Sequence, residues 1–179
     1  SNLGGGNHAA ARIDDQVVDW CKEMVGFPKS ASGTLVSGGS MANIICLTIA
    51  RNIKANIDIR NEGVAAIPKT LKFYSSDQVH GCHQKGMEIL GLGSKALQKI
   101  RSNENYEIDI NALKQAIEDD KKAGLNPACV IANAGTVNTG AIDDLKAIAE
   151  ICREENMWFH VDGCIGALIA IAPQNNQLI

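Results

Sequence analysis

The chain has 179 residues, 45% of them hydrophobic, and a formal net charge of -3. That length supports one sizeable core, and the composition reads as a soluble globular domain or a piece of a larger protein. No basic surplus and no block of like charge is present, which excludes nucleic acid and membrane surfaces as partners. Six cysteines, Cys21, Cys46, Cys82, Cys129, Cys152 and Cys164, are scattered without a C-x-x-C pair. Scattered thiols fit a reducing compartment, by default the cytoplasm, better than a disulfide framework. His80, Cys82 and His83 lie close in sequence, but no second ligand pair has zinc-like spacing, so no metal site is expected.

Residues 1–12 are mostly small and polar and read as a flexible lead-in; their glycine triplet follows no strand and is not a phosphate loop. From Ile13 to Val25 the apolar residues Val17, Val18, Cys21 and Val25 keep a helical period, with Asp14 and Asp15 at the positive end and Gly26 and Pro28 as stops. A short apolar segment then passes through Ser37-Gly38-Gly39-Ser40 into a helix that runs to Ile53. Free backbone N–H groups, the helix dipole and a serine hydroxyl converge there, which suits a phosphate. An ordinary serine N-cap after a glycine turn explains the same pattern. The stretch lacks the lysine of a P-loop and does not match G-x-G-x-x-G, so a nucleotide is not the favoured anion.

Thr70 to Ser75 reads as a strand leading through Ser76-Asp77-Gln78 into a helix with His80 in its first turn. In open α/β sheets ligands collect at that edge; a partly exposed histidine near a cap is the competing reading for His80 and the preferred one for His83. Ala96 to Ile100 is a candidate short strand, and Ser102 to Tyr106 a polar loop. Asp109 opens a surface helix through Leu113, Ala116 and Ile117 to Lys121 and Lys122, closed by Gly124 and Pro127. Ala128 to Asn133 is a continuous apolar run, as in a strand buried on both faces. Asp143 is expected to begin the next helix, with Leu145, Ile148, Ala149 and Cys152 on one face. Met157 to Val161 is the last strand and delivers Asp162 to its C-terminal tip, followed by the small residues Gly163 and Cys164. Asp162 is there either as an acid shown to a ligand or as a turn opener. The β-α-β unit makes Thr136 and Asp162 leave the same edge of neighbouring strands.

Alternating strands and helices predict an α/β fold, a three-layer sandwich around a mainly parallel sheet. The Gly39-Ser40 site, His80, Thr136 and Asp162 then share one crevice. A phosphorylated aromatic cofactor with a basic ring nitrogen would use each of them, and pyridoxal phosphate answers that description.

Four ordered segments carry a resemblance: Leu35-Val36-Ser37-Gly38-Gly39-Ser40-Met41-Ala42-Asn43, Tyr74-Ser75-Ser76-Asp77-Gln78-Val79-His80, Asn133-Ala134-Gly135-Thr136 and His160-Val161-Asp162-Gly163. In them, and through most of the chain from Asp14, the sequence resembles the large domain of the pyridoxal-phosphate-dependent group II decarboxylases, which include the aromatic amino-acid and glutamate decarboxylases. The resemblance implies a fold-type I enzyme, with residues 13–179 as the N-terminal part of the cofactor-binding domain. It implies that Gly39 and Ser40 hold the cofactor phosphate and that Thr136 lies beside the ring. His80 would stack on the ring as the catalytic histidine, and Asp162 would pair with the ring nitrogen, favouring its protonated form.

Departures accompany the likeness. Met41 replaces an acidic or small residue, and Gly163-Cys164-Ile165 replaces the usual alanines and aromatic; Cys164 falls where a small side chain normally packs under the ring. The family's cofactor-linking lysine follows the aspartate, yet Lys146 is the last lysine of these residues. The expectation is therefore an incomplete enzyme, inactive as this segment alone, whose lysine strand and C-terminal domain lie beyond Ile179. The whole protein is expected to be a homodimeric amino-acid decarboxylase, with aromatic amino acids favoured over glutamate as substrate. The alternatives are another pyridoxal-phosphate enzyme of the same fold, a lyase or aminotransferase, and a non-catalytic scaffold.

Overall fold

A computed structural model describes residues 8–174. The first helix, α1 (Ala9–Met24), starts earlier than its apolar period signals, because His8 caps it by accepting the Ala11 N–H at 3.2 Å on Nδ1. Residues 9–12, expected in the flexible lead-in, are thus helical, and residues 1–7 lie outside the described part. Then come α2 (Gly39–Lys54), a single-turn α3 (Ile59–Glu62), β1 (Leu71–Ser76), α4 (Cys82–Ile89) and β2 (Leu97–Ile100). The chain continues through α5 (Ile110–Lys122), β3 (Asn126–Asn133), α6 (Leu145–Glu154) and β4 (Trp158–Asp162), and ends in a 3-10 turn, Ala167–Ile171.

The four strands form one parallel sheet in the order β2-β1-β3-β4, with Tyr74 opposite Val130 and Val130 opposite Phe159. Side chains alternate across it. Phe73, Cys129 and Ile131 pack on one face with Leu47 of α2 and Met87 of α4. Tyr74, Val130 and Ala132 pack on the other with Leu113 and Ile117 of α5 and Ile148 of α6. Burial on both faces is why β3 reads as an unbroken apolar run. The expected three-layer α/β architecture is present.

Packing rather than capping holds the outer helices. Asp109 caps α5 by accepting the Ala112 N–H at 3.0 Å, a contribution of about 1 kcal/mol. Burial of Leu113 and Ile117 contributes about 1.5–3 kcal/mol for each side chain.

The start of α6 differs from expectation. Asp144 is its N-cap, accepting the Ala147 N–H at 3.0 Å. Asp143 is instead buried: Oδ1 accepts the Ile108 N–H at 2.7 Å, and Oδ2 accepts the Asn133 N–H at 2.7 Å and Asn133 Nδ2 at 3.0 Å. The strand end and the loop before α5 leave backbone donors without sheet partners, and this carboxylate satisfies them.

The order of the strands sets the position of the site. From β1 the chain passes to β2 on one side, whereas β3 lies on the other, so a crevice opens at the C-terminal ends of β1 and β3.

Candidate active site

The helix start comes first. Gly38, with φ of 123°, is the N-cap of α2 and makes no side-chain cap bond, so the serine N-cap reading fails: neither Ser37 nor Ser40 caps the helix. First-turn amides of an uncapped helix are unpaired donors at the positive end of its dipole. Gly39 and Ser40 line a cavity of about 240 Å³ together with His80, Asn133, Thr136 and Asp162.

Asp162 stands at the end of β4. Its Oδ2 accepts Asn43 Nδ2 at 2.9 Å and lies 2.8 Å from His83 Nε2, while Oδ1 accepts the Cys164 N–H at 3.2 Å. One oxygen secures the turn, as the turn reading expects, and the other is tied to helices α2 and α4. Burial alone pushes its carboxyl up, but the hydrogen bonds from His83 and Cys164 overcome that and hold it well below the usual carboxylate range. Asp162 is the one carboxylate lining the cavity among the described residues.

His80 sits just before α4, which begins at Cys82 after Gly81, not in its first turn. It is exposed, lines the cavity, and accepts the Cys82 N–H on Nδ1 at 3.2 Å, which leaves the ring proton on Nε2. Thr136 is buried beside the cavity, and its hydroxyl is bonded within its own turn, 2.6 Å from Thr139 Oγ1 and accepting the Ala141 N–H at 3.2 Å. The turn after Asp162 crosses the Thr136 loop closely: Gly166 N donates to Ala134 O at 2.9 Å, and a Cβ on Gly166 would lie 2.5 Å from that oxygen.

Three residues of this site were not legible as functional. His83, expected to be partly exposed, is fully buried, because α4 turns Cys82, His83, Gly86 and Met87 inward as one face. Asn43, one turn into α2, bridges the network by receiving His160 Nε2 on Oδ1 at 2.8 Å while donating to Asp162. His160 precedes Asp162 by the strand period, so it points to the same side of the sheet. That spacing was a usable signal, as was the i,i+3 spacing of Asn43 from Ser40.

Cys82, His83 and Asp162 place potential metal-ligand atoms within 4.8 Å of one another. Asp162 Oδ2 and the Cys82 sulfur are already engaged by Asn43 and His83, so hydrogen bonds account for the cluster.

His160 gives the fold a pH dependence. Burial, with His83 nearby, pushes its imidazole down to about 4 from 6.5. Below pH 6.5 the unfolded chain takes up a proton that the folded one refuses, so stability is present above that pH and is lost as pH falls toward 4. The loss is expected to reach about 3 kcal/mol. Urea unfolding at several pH values checks it, and His160→Asn is expected to flatten the slope in that window.

A family model described as "Pyridoxal-dependent decarboxylase conserved domain" matches residues 7–179. An aromatic-L-amino-acid decarboxylase from Bacillus atrophaeus is 40% identical over 170 residues, covering 95% of this chain and 34% of that protein. Mouse CSAD in its apo crystal form superposes with a TM-score of 0.91 at 28% identity, covering 96% of this chain and 35% of that one. The glutamate decarboxylase domain of a Vibrio parahaemolyticus diaminobutyrate-pyruvate transaminase and L-2,4-diaminobutyrate decarboxylase gives 0.88 at 30% identity, covering 95% of this chain and 38% of that one. The chain spans about a third of the length of the curated relatives it matches.

Proposed function

The chain belongs to the pyridoxal-dependent decarboxylase family, and from that premise we propose that the whole protein is a pyridoxal-phosphate-dependent decarboxylase of aromatic L-amino acids. Pyridoxal phosphate is the cofactor of the family. One observation carries the reading for this chain: the same cavity is lined by an uncapped helix start, suited to a phosphate, and by a half-buried ionised carboxylate, suited to a cationic ring nitrogen.

The residues present fit such a group. The Cys164 thiol lies over Gly39, where an added Cβ would come within 2.5 Å of Sγ, so a glycine at that position gives the thiol room. The Cys164 backbone N–H donates to Asp162, a contact any residue at that position supplies, and its thiol also lies close enough to interact with that carboxylate. Burial and the adjacent Asp162 push the Cys164 thiol up to about 11, so it stays uncharged beside the anion.

In this reading Gly39 and Ser40 bind the phosphate through first-turn amides and the serine hydroxyl. Asp162 holds the proton on the ring nitrogen by Coulombic attraction. His80, with Nε2–H unengaged by Cys82, borders the ring and the entering substrate. Val137 and Ile165 line the same space and limit water. The cofactor supplies an electron-accepting ring for the electrons left when carbon dioxide departs.

No lysine lines the cavity among the described residues, and Lys146 is exposed on α6. The covalent anchor is assigned to the rest of the protein, and residues 13–179 to the first part of its cofactor domain. The aromatic substrate class is supported by the Bacillus atrophaeus relative. All six cysteines are free, which supports a cytoplasmic protein. The exposed apolar residues Trp20, Ile165, Leu168 and Ile171 support a homodimer or domain contact.

The test uses the full-length protein. A visible absorption band of bound pyridoxal phosphate that shifts on adding an aromatic L-amino acid, with one carbon dioxide released per amine formed, is the expected result. Amino-group transfer without carbon dioxide would replace this reading with an aminotransferase, and a protein with no band would be a scaffold.

A further inference from the structure

The donors around Asp162 are distributed unevenly. Oδ2 receives two, Asn43 Nδ2 and His83 Nε2, while among the described residues Oδ1 receives one backbone donor, the Cys164 N–H. An ionised carboxylate offers about two acceptor sites on each oxygen. Oδ2 is therefore filled and Oδ1 keeps one site open.

His83 itself is an expensive residue at its position. Its side chain is fully buried on the inward face of α4, and its Nδ1 has no hydrogen-bond partner among the described residues. An unsatisfied buried polar atom costs stability, and an aliphatic side chain on that face would avoid the cost. What His83 provides in return is at its other nitrogen, a charge-assisted hydrogen bond to Asp162 at 2.8 Å. The second donor to Oδ2 is fixed as well, because His160 Nε2 donates to Asn43 Oδ1 at 2.8 Å and so orients the amide with Nδ2 toward Asp162.

Resting on the reading of Asp162 as the partner of the cofactor's ring nitrogen, we infer that His83 is a positioning residue. With Asn43 it saturates Oδ2, stops rotation of the carboxylate, and leaves Oδ1 as the single oxygen that accepts the ring N–H. Without the His83 donor the carboxylate is more basic and less fixed. The shared proton then moves from the ring nitrogen toward Asp162, and the N–H bond gives way to O–H.

The experiment is nitrogen-15 NMR of the full-length holoenzyme reconstituted with pyridoxal phosphate labelled at the ring nitrogen, at neutral pH, together with cofactor dissociation constants. His83→Leu is expected to move the ring signal toward the unprotonated position and to weaken cofactor binding about tenfold. His83→Gln, whose amide nitrogen reaches the place of Nε2, is expected to restore both. His83→Asn is polar but too short to reach Asp162, and is expected to behave as the leucine variant does; it keeps the test open should His83→Leu fail to fold. Asp162→Asn is the control for the underlying reading. A His83 variant that lowers the melting temperature but leaves the ring signal unmoved, while Asp162→Asn moves it, would overturn the inference alone. A signal indifferent to Asp162→Asn would overturn the reading of Asp162 and the inference with it.

Discussion

Replacing Asp162 by alanine is expected to lower carbon dioxide release by the full-length protein about a thousandfold, the upper range for loss of one preorganised electrostatic group. The size follows from where the charge sits. Asp162 is the one carboxylate lining the cavity among the described residues, and hydrogen bonds from His83 and Cys164 keep it ionised against the pull of burial. Its partners Asn43 and His83 are buried, which limits how far solvent can stand in for it on that side. The substitution also leaves the donors of Asn43 and His83 without an acceptor, so some stability goes as well. Asparagine separates the two effects. Asp162→Asn keeps the shape and one acceptor oxygen, and its new amide can turn toward the cavity, so it is expected to lose less stability than alanine and to retain cofactor at raised concentration through the phosphate contacts, while turnover remains lost. Release of labelled carbon dioxide, compared with the melting temperature of each variant, makes the check.

The largest stability effect is expected away from the cavity, at Asp143. Its carboxylate accepts the backbone N–H groups of Ile108 and Asn133 and the Asn133 side chain. Alanine leaves these donors buried without an acceptor, at about 1–3 kcal/mol apiece before relaxation. A loss of about 4 kcal/mol is expected, within the range set by broken buried networks. Asp143→Asn is expected to be nearly as harmful, because one of its two polar atoms becomes a donor facing donors. Urea unfolding of the two variants measures it. The Asn133 end of β3 also carries the Gly135-Thr136 turn, so cofactor affinity is expected to fall along with stability.

Residues that announce themselves by period are legible in the sequence. The apolar run of β3, the face of Leu113 and Ile117 on α5, and the face of Ile148 and Cys152 on α6 all match the buried clusters. The carboxylate at the tip of β4 and the glycine turn before α2 were legible because strand ends and helix starts have their own residue signatures. Residues whose role depends on the meeting of distant segments were not. Asp143 stands beside Asp144, and both suit a helix start; only the arrival of the Ile108 and Asn133 amides decides which one is buried. His83 looked like a neighbour of His80, and its burial depends on how α4 lies against the sheet and α2. Asn43 is linked to residues more than a hundred positions away; its i,i+3 spacing from Ser40 points to the helix face but not to those partners. The strand order, with β1 between β2 and β3, is likewise written in no single strand.

The crystal structure of the full-length holoenzyme with pyridoxal phosphate tests the central claim most directly. The phosphate is expected on the backbone amides of Gly39 and Ser40 at the start of α2, with the ring nitrogen within hydrogen-bond distance of the Asp162 carboxylate and His80 over the ring face. A cofactor whose phosphate lies away from α2, or whose ring nitrogen faces a group other than Asp162, would contradict it.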